Sequence, residues 1–393
     1  MPSALFIASH DSQFKWARIV MDQFVKQGWQ ADCLAPLGFA AVADEQLRDA
    51  GFTPNEILRA YPAESLPIAV EYDALFLLTP GGFTEEYIYS LRSFLDSSST
   101  PKHPVIISAY IGIIINGWTG SYCDRTGADL ICVNSKYDFE LFSSAAAGLG
   151  IGTDNLVLTG LPITLGVAGA VKTEPIERVL FAEQAIVPRG KMERKIVFQG
   201  LLDYAAAHPD RKVIVKPRHR PGETSFRKNI FTPESFFKNT NQSNVVFDYT
   251  PLAEQLPSTD LLLTVSSTAA FEAMALGVRV GIISDAGIRE TLGNHIFIQS
   301  GLIKTFAQLI NDDIGQANPT WLDLHYTGNY NSAQLIFDKV QELVHRRETE
   351  DVKPINCPYF EARKRITLYN SRYFGSKGLK LRLLGSVLRR FHI

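Results

Sequence analysis

The feature that most constrains this chain is an alternation of short apolar runs with helix-length stretches, set out in two blocks, one before about residue 160 and one after about residue 176. The first block opens with the apolar run 4–8, which ends in Ser9-His10-Asp11-Ser12. A periodic stretch over 14–27 follows, with Phe14, Ala17, Val20, Met21, Phe24 and Val25 on one face and Gly28 as its stop. Further strands are expected at 31–35, 74–78, 105–109 and 130–134, with a helix at 43–50. The second block reads as strand 178–182, helix 192–207, strands 212–216 and 245–248, helix 252–256, strand 261–265, helix 268–276 and strand 280–284. Such alternation builds parallel sheets with helices on both faces. The Gly-, Ala- and Val-rich stretch 160–176 lacks periodicity and reads as the connection between two α/β units. The expected organisation is therefore a first doubly wound domain at 1–165, a second at 176–345 and a basic segment at 346–393.

Composition narrows the class. With 46% hydrophobic and 20% charged residues over 393 positions, the chain has the make-up of a folded globular protein, not a disordered one. Its longest apolar stretch, 105–115, is broken by Ser108 and Gly112 and falls short of the roughly 20 residues that span a bilayer. The N-terminus lacks the basic region of a secretory signal, so the expected location is the cytoplasm. Cys33, Cys123, Cys132 and Cys357 show no metal-ligand spacing, and no acidic D-x-D cluster ends a strand, so no metal is expected.

Charge is unevenly placed. Residues 361–393 hold nine of the 39 basic residues and one of the 41 acidic ones, which leaves 30 basic against 40 acidic in the body. In that tail Leu379, Leu381, Leu383, Leu384, Val387, Leu388 and Phe391 interleave with Lys380, Arg382, Arg389 and Arg390. A basic amphipathic segment of this kind suits the anionic inner face of the cytoplasmic membrane. A C-terminal helix folding back onto the first domain is the other reading. The acidic body argues against nucleic acid.

In open α/β sheets ligands bind beyond the carboxyl ends of the strands. One such end delivers Ser266, Ser267 and Thr268 to the start of a helix, where unpaired backbone N–H groups favour a phosphate. A plain N-cap at Ser267 or Thr268 is the alternative. Glu272, one turn further, is placed for a ribose or for the surface. A second end carries Lys216, Arg218, His219 and Arg220 between Pro217 and Pro221, a cluster suited to phosphate or pyrophosphate, with His219 able to donate to the departing oxygen. The alternative is a solvated basic loop. Gln184 and Arg189 follow a third strand and are candidates for hydroxyl and phosphate contacts. In the first block His10 and Asp11 are candidates for the general base that takes a proton from an acceptor hydroxyl, and Asp124 is a weaker one. Asn116 and Trp118 are expected on the acceptor side, Trp118 offering a face on which a sugar stacks. No GxGxxG follows the first strand, and neither GxxxxGK[ST] nor GxSxG occurs.

The Ser266-Ser267 pair followed by Phe-Glu272-Ala-Met-Ala-Leu-Gly277, with Lys216-Pro-Arg-His219 upstream, resembles the donor site of GT-B glycosyltransferases. Among these it is most similar to bacterial sialyltransferases, polysialyltransferases and Kdo transferases of capsule or lipopolysaccharide synthesis. The resemblance implies two Rossmann-like domains facing a cleft, with His219, Ser266 and Ser267 holding the nucleotide phosphate. It also implies a metal-independent enzyme with no cofactor, using a nucleotide-sugar co-substrate, a CMP-ulosonic acid in first place, and a glycan or lipid-linked acceptor. A UDP-hexose or CDP-glycerol type transferase of the same fold, and a non-catalytic carbohydrate- or nucleotide-binding module, are the alternatives.

Overall fold

The computed structural model describes residues 1–97, 102–115, 119–163, 171–220, 231–238 and 242–349. The first sheet contains β1 (Ser3–Ile7), β2 (Gln30–Pro36), β3 (Leu58–Ala60), β4 (Ala74–Leu77), β5 (Val105–Ala109), β6 (Leu130–Val133) and β7 (Leu156–Leu158). Its order is β3-β2-β1-β4-β5-β6-β7, parallel throughout. Side-chain alternation along β1 sends Ala4 and Phe6 to one face, against Phe14, Val20 and Phe24 of the helix Asp11–Lys26. Leu5 and Ile7 go to the other, against Phe83 and Tyr87 of the helix Gly81–Ser97. A strand buried on both faces reads as a continuous apolar run, which is why β1 was visible in the sequence.

The second sheet contains β8 (Arg178–Ala182), β9 (Lys212–Lys216), β10 (Val245–Phe247), β11 (Leu261–Thr264), β12 (Arg279–Ile283) and β13 (Ile303–Lys304). It is also parallel, in the order β10-β9-β8-β11-β12-β13. Val179 and Phe181 pack with Val197, Phe198 and Leu201 of the helix Lys191–Ala207. Leu180 and Ala182 pack with Ala270 and Ala273 of the helix Ala269–Ala275. Because β8 lies between β9 and β11, the loops after all three leave the sheet side by side.

Two placements differ from the sequence reading. The helix Gly81–Ser97 was not anticipated, because every residue from Phe83 to Leu91 is buried and no polar stripe marks its period. The helix Ser332–Thr349 begins inside the expected second domain, 176–345, yet in space it belongs to the first. Its stripe of Ile336, Phe337, Val340 and Val344 completes the core beside the helix Asp11–Lys26. Phe337 meets Phe24 edge-on at 5.1 Å, and Arg347 pairs with the buried Asp129 at 2.5 Å. The basic tail beyond residue 349 and most of the expected connection, 164–170, lie outside the described residues.

The domains also meet through the loop after β5. Ile113 packs into the apolar cluster of the second domain, and Ile115 covers Gly293. The position a Cβ would take on Gly112 is 3.0 Å from Thr268 Oγ1, so a larger residue there would press on the turn after β11. Asn134 Nδ2 donates to Gly112 O at 2.7 Å and fixes this loop.

Candidate active site

Register places the cationic and hydroxyl loops at the same level. Lys216 pairs with Ala182 and Leu263 pairs with Phe181, so β9, β8 and β11 end together, with the outer two about 10 Å apart. The residues after β8 tie both neighbours down. Glu183 Oε2 accepts from Arg218 N at 2.7 Å. Gln184 Oε1 accepts from Ser266 N at 2.9 Å, and its Nε2 donates to Ser266 Oγ at 3.3 Å. Glu183 is held by a buried ion pair with Arg194, whose guanidinium also donates to the carbonyls of Gln184, Pro188 and Phe231.

Ser266 is turned inward. It is 2% exposed, its hydroxyl donates to Leu292 O at 2.6 Å, and its N–H is taken by Gln184. Both polar groups of Ser266 thus have partners within the protein, which hold the turn after β11 in place. Ser267 Oγ accepts from Ala269 N at 3.2 Å, which makes it the local cap of the turn. Thr268 stands at the domain boundary against Gly112. Glu272 is partly buried, and desolvation raises its carboxyl above the usual range although Lys15 and Arg218 pull it the other way.

Lys216, Arg218, His219 and Arg220 line one hollow with Tyr249 and Pro251 of the second domain and Asp11, Lys15, Gln46 and Asp49 of the first. Burial, reinforced by Lys15, Arg218 and Arg220, pushes the Lys216 ammonium down to about 8. Arg218 reaches across to Asp11 at 2.5 Å, and Arg220 lies 3.5 Å from Asp49 and 3.7 Å from Glu45. Burial would raise the Asp11 carboxyl, but Arg218 and Lys15, with the Ser12 N–H and His219, together hold it below its ordinary value.

His10 is the N-cap of the helix that Asp11 begins. Its Nδ1 lies 2.6 Å from Ser9 Oγ, its N–H donates to Gln13 Oε1 at 3.1 Å, and Phe39 stands edge-on to its ring. Capping fixes His10 and Asp11 on the rim of the cleft. Asp124, by contrast, lies against Gly81 at the start of the helix Gly81–Ser97, within the first domain. Arg189 is exposed beside the helix Lys191–Ala207, and Asn116 and Trp118 lie outside the described residues. Among the described residues no group of three His, Cys, Asp or Glu is arranged to hold a metal ion.

Four contributors to this site went unread in the sequence: Lys15, Glu183, Arg220 as a partner of Asp49, and Tyr249. Lys15 carried a usable signal, because it stands four residues after Asp11 on one helix and so shares its face. The others depend on which strands neighbour each other.

Two parallel-sheet α/β domains whose carboxyl ends face one cleft constitute the GT-B architecture. The family model described as "Putative glycosyltransferase (DUF6716)" matches residues 4–343, and the chain belongs to this glycosyltransferase family. No curated protein matches the chain in sequence. Similar solved structures include MnaA of S. aureus with UDP, at 12% identity and TM-score 0.61 over 88% of this chain and 97% of that one. Arabidopsis thaliana UGT89C1 with UDP-L-rhamnose is similar at 13% identity and TM-score 0.55, covering 87% and 98%. The UDP-GlcNAc 2-epimerase of Methanocaldococcus jannaschii with UDP-GlcNAc and UDP is similar at 12% identity and TM-score 0.54, covering 87% and 100%. At such identities the likeness is one of fold.

Proposed function

We propose that this protein transfers a sugar from a nucleoside-diphosphate donor, a UDP-sugar in first place, to a hydroxyl of a glycan or lipid-linked acceptor. The observation that carries this reading is the hollow in which Lys216, Arg218, His219 and Arg220 face Asp11 and Lys15 across the domain boundary. In the transfer the bond from anomeric carbon to phosphate oxygen breaks and its electron pair leaves with the diphosphate. The cations and His219 stabilise that charge. The acceptor oxygen forms the new bond, and its proton passes to Asp11 or His10. Glu272 is the candidate for the ribose hydroxyls, with Ser267 and Thr268 beside it.

Adjacent phosphates fit a compact cation cluster better than one phosphate with a distant sugar carboxylate, so the diphosphate donor replaces the CMP-ulosonic acid implied by the resemblance above. The UDP bound in solved structures of this fold supports the same choice. The basic amphipathic tail supports an acceptor borne on an anionic membrane surface. Among the described residues no helix is long and apolar enough to cross a membrane.

A thermal-shift screen of UDP, GDP, CDP and CMP tests the donor class, since a ligand that binds only the native state raises its apparent stability. UDP is expected to give the largest shift, and CMP alone shifting the melt would sink the diphosphate reading. Turnover is then followed as UDP release with glycan acceptors present. Loss of that release in His219→Ala separates an enzyme from a binding module, which would retain ligand affinity without turnover. Conversion of the donor sugar without any acceptor would point to epimerase chemistry instead.

A further inference from the structure

We infer that Lys15, supplied by the acceptor-side domain, is a diphosphate-binding residue of the donor site, and that the donor's two phosphates draw it into an ion pair with them across the cleft. The inference rests on the transferase reading above and adds to it a residue and a substrate preference.

The argument starts from the hollow. Its lining includes the cations Lys15, Lys216, Arg218 and Arg220 and the carboxylates Asp11 and Asp49, an excess of two positive charges before His219 is counted. Arg218 is already paired with Asp11, and Arg220 with Asp49. Of the lining cations, Lys15 and Lys216, one from each domain, are left for a ligand to pair with, although Glu272 and Asp11 lie in the field of the first and Asp248 in that of the second. Among the described residues neither forms a salt bridge, yet each is partly buried and Lys15 is close enough to depress Lys216. Two like charges held in a half-desolvated cleft are unfavourable without a counter-ion. A sugar diphosphate carries two negative charges on adjacent groups and matches the excess. A nucleoside monophosphate ester carries one, and leaves the other cation uncompensated unless its sugar is itself acidic.

The position of Lys15 on its helix supports a role in binding rather than in folding. It sits one turn beyond Asp11 on the same face, while the core of that helix is formed by Phe14, Trp16, Ala17, Val20 and Phe24. Its ammonium lies close enough to Glu272 and Asp11 to lower both carboxyls.

The test is titration calorimetry of the full chain, wild type, Lys15→Met and Lys15→Arg, with UDP, UMP and uridine, and the same triplets with guanosine and cytidine bases. Wild type is expected to bind the diphosphate more tightly than the monophosphate. Lys15→Met should weaken the diphosphate about tenfold, the scale of one lost charge-assisted hydrogen bond, and change the nucleoside less than twofold. Lys15→Arg should recover most of the loss. Diphosphate affinity unchanged in Lys15→Met, or equal weakening of all three ligands with a lowered melting temperature, would overturn the role of Lys15 and leave the transferase reading standing. Equal affinity of wild type for mono- and diphosphate would overturn the substrate preference. A wild type that binds no nucleotide at millimolar concentration would remove the transferase reading and this inference together.

Discussion

Arg218 Nη2 and Asp11 Oδ2 lie 2.5 Å apart, one from each domain, across the cleft that divides the molecule. The arginine side chain is 38% exposed and the aspartate 18%, so the pair contributes at most about 1 kcal/mol to stability. Its consequence is chemical. Held by Arg218, the carboxylate is a weak base; under the function proposed above, a donor phosphate that takes over Arg218 would release it.

Asp11→Asn is therefore expected to leave the melting temperature within a few degrees of wild type while lowering kcat about a hundredfold or more. Because Arg218 and Lys15 hold the folded Asp11 below its ordinary value, the pair's stabilisation is present above the ordinary carboxylate range and is lost as the pH falls through the lowered value. Thermal melts of wild type and Asp11→Asn should therefore converge only as the pH falls below that ordinary range. A variant with unchanged kcat would remove Asp11 from the chemistry and leave His10 as the base.

Burial, with Lys15, Arg218 and Arg220 nearby, pushes the Lys216 ammonium down to about 8, against 10.5 for an unperturbed lysine. Between those values the folded state binds fewer protons than the unfolded one, so this group's destabilising effect is full below about pH 8 and is relieved as the pH rises. A bound phosphate favours the charged form. Nucleotide binding at pH 8 to 9 should therefore be accompanied by proton uptake, seen as a dependence of the calorimetric enthalpy on the ionisation enthalpy of the buffer. Lys216→Met should abolish that uptake. Binding without proton exchange in wild type would place the phosphates elsewhere.

Arg194 is 1% exposed, with Glu183 and three backbone carbonyls as partners. Removing one member of a buried pair strands the other charge, at a cost of roughly 3–5 kcal/mol. Arg194→Met should lower the urea midpoint of the second domain accordingly. It should also loosen the loop after β8, and with it the positions of both Arg218 and Ser266. An unchanged midpoint would mean that solvent reaches Glu183.

Gly293 has φ of 74°, and a Cβ there would lie 2.7 Å from Ile115 Cδ1 and 3.0 Å from Ser266 Oγ. Gly293→Ala combines left-handed strain of about 1–2 kcal/mol with pressure on the turn after β11. Both the melting temperature and nucleotide affinity are expected to fall. Gly82→Ala is the control, because nothing stands within 4 Å of its Cβ position and it lies within a helix, so stability should hold or rise. Equal effects of the two substitutions would refute the coupling of Gly293 to the site.

The sequence alone determined the strands that end at the cleft and the loops that follow them. Each is a local statement: β9 and β11 are apolar because both faces are covered, and the polar residues behind them, from Lys216 to Arg220 and from Ser266 to Thr268, are contiguous in the chain. Tertiary structure alone decided what those residues meet. Asp11 and Arg218 are 207 positions apart, and nothing in either neighbourhood selects the other. Ser266 faces inward because β8 lies beside β11 and brings Gln184 to it, and Lys15 enters the site because its helix lies on the rim opposite β9. The helix Ser332–Thr349 likewise closes the core of the domain that begins the chain. Parallel strands that are uniformly apolar carry no mark of their neighbours in the sheet, so strand order, and every contact between loops that follows from it, exists only once the sheets are packed.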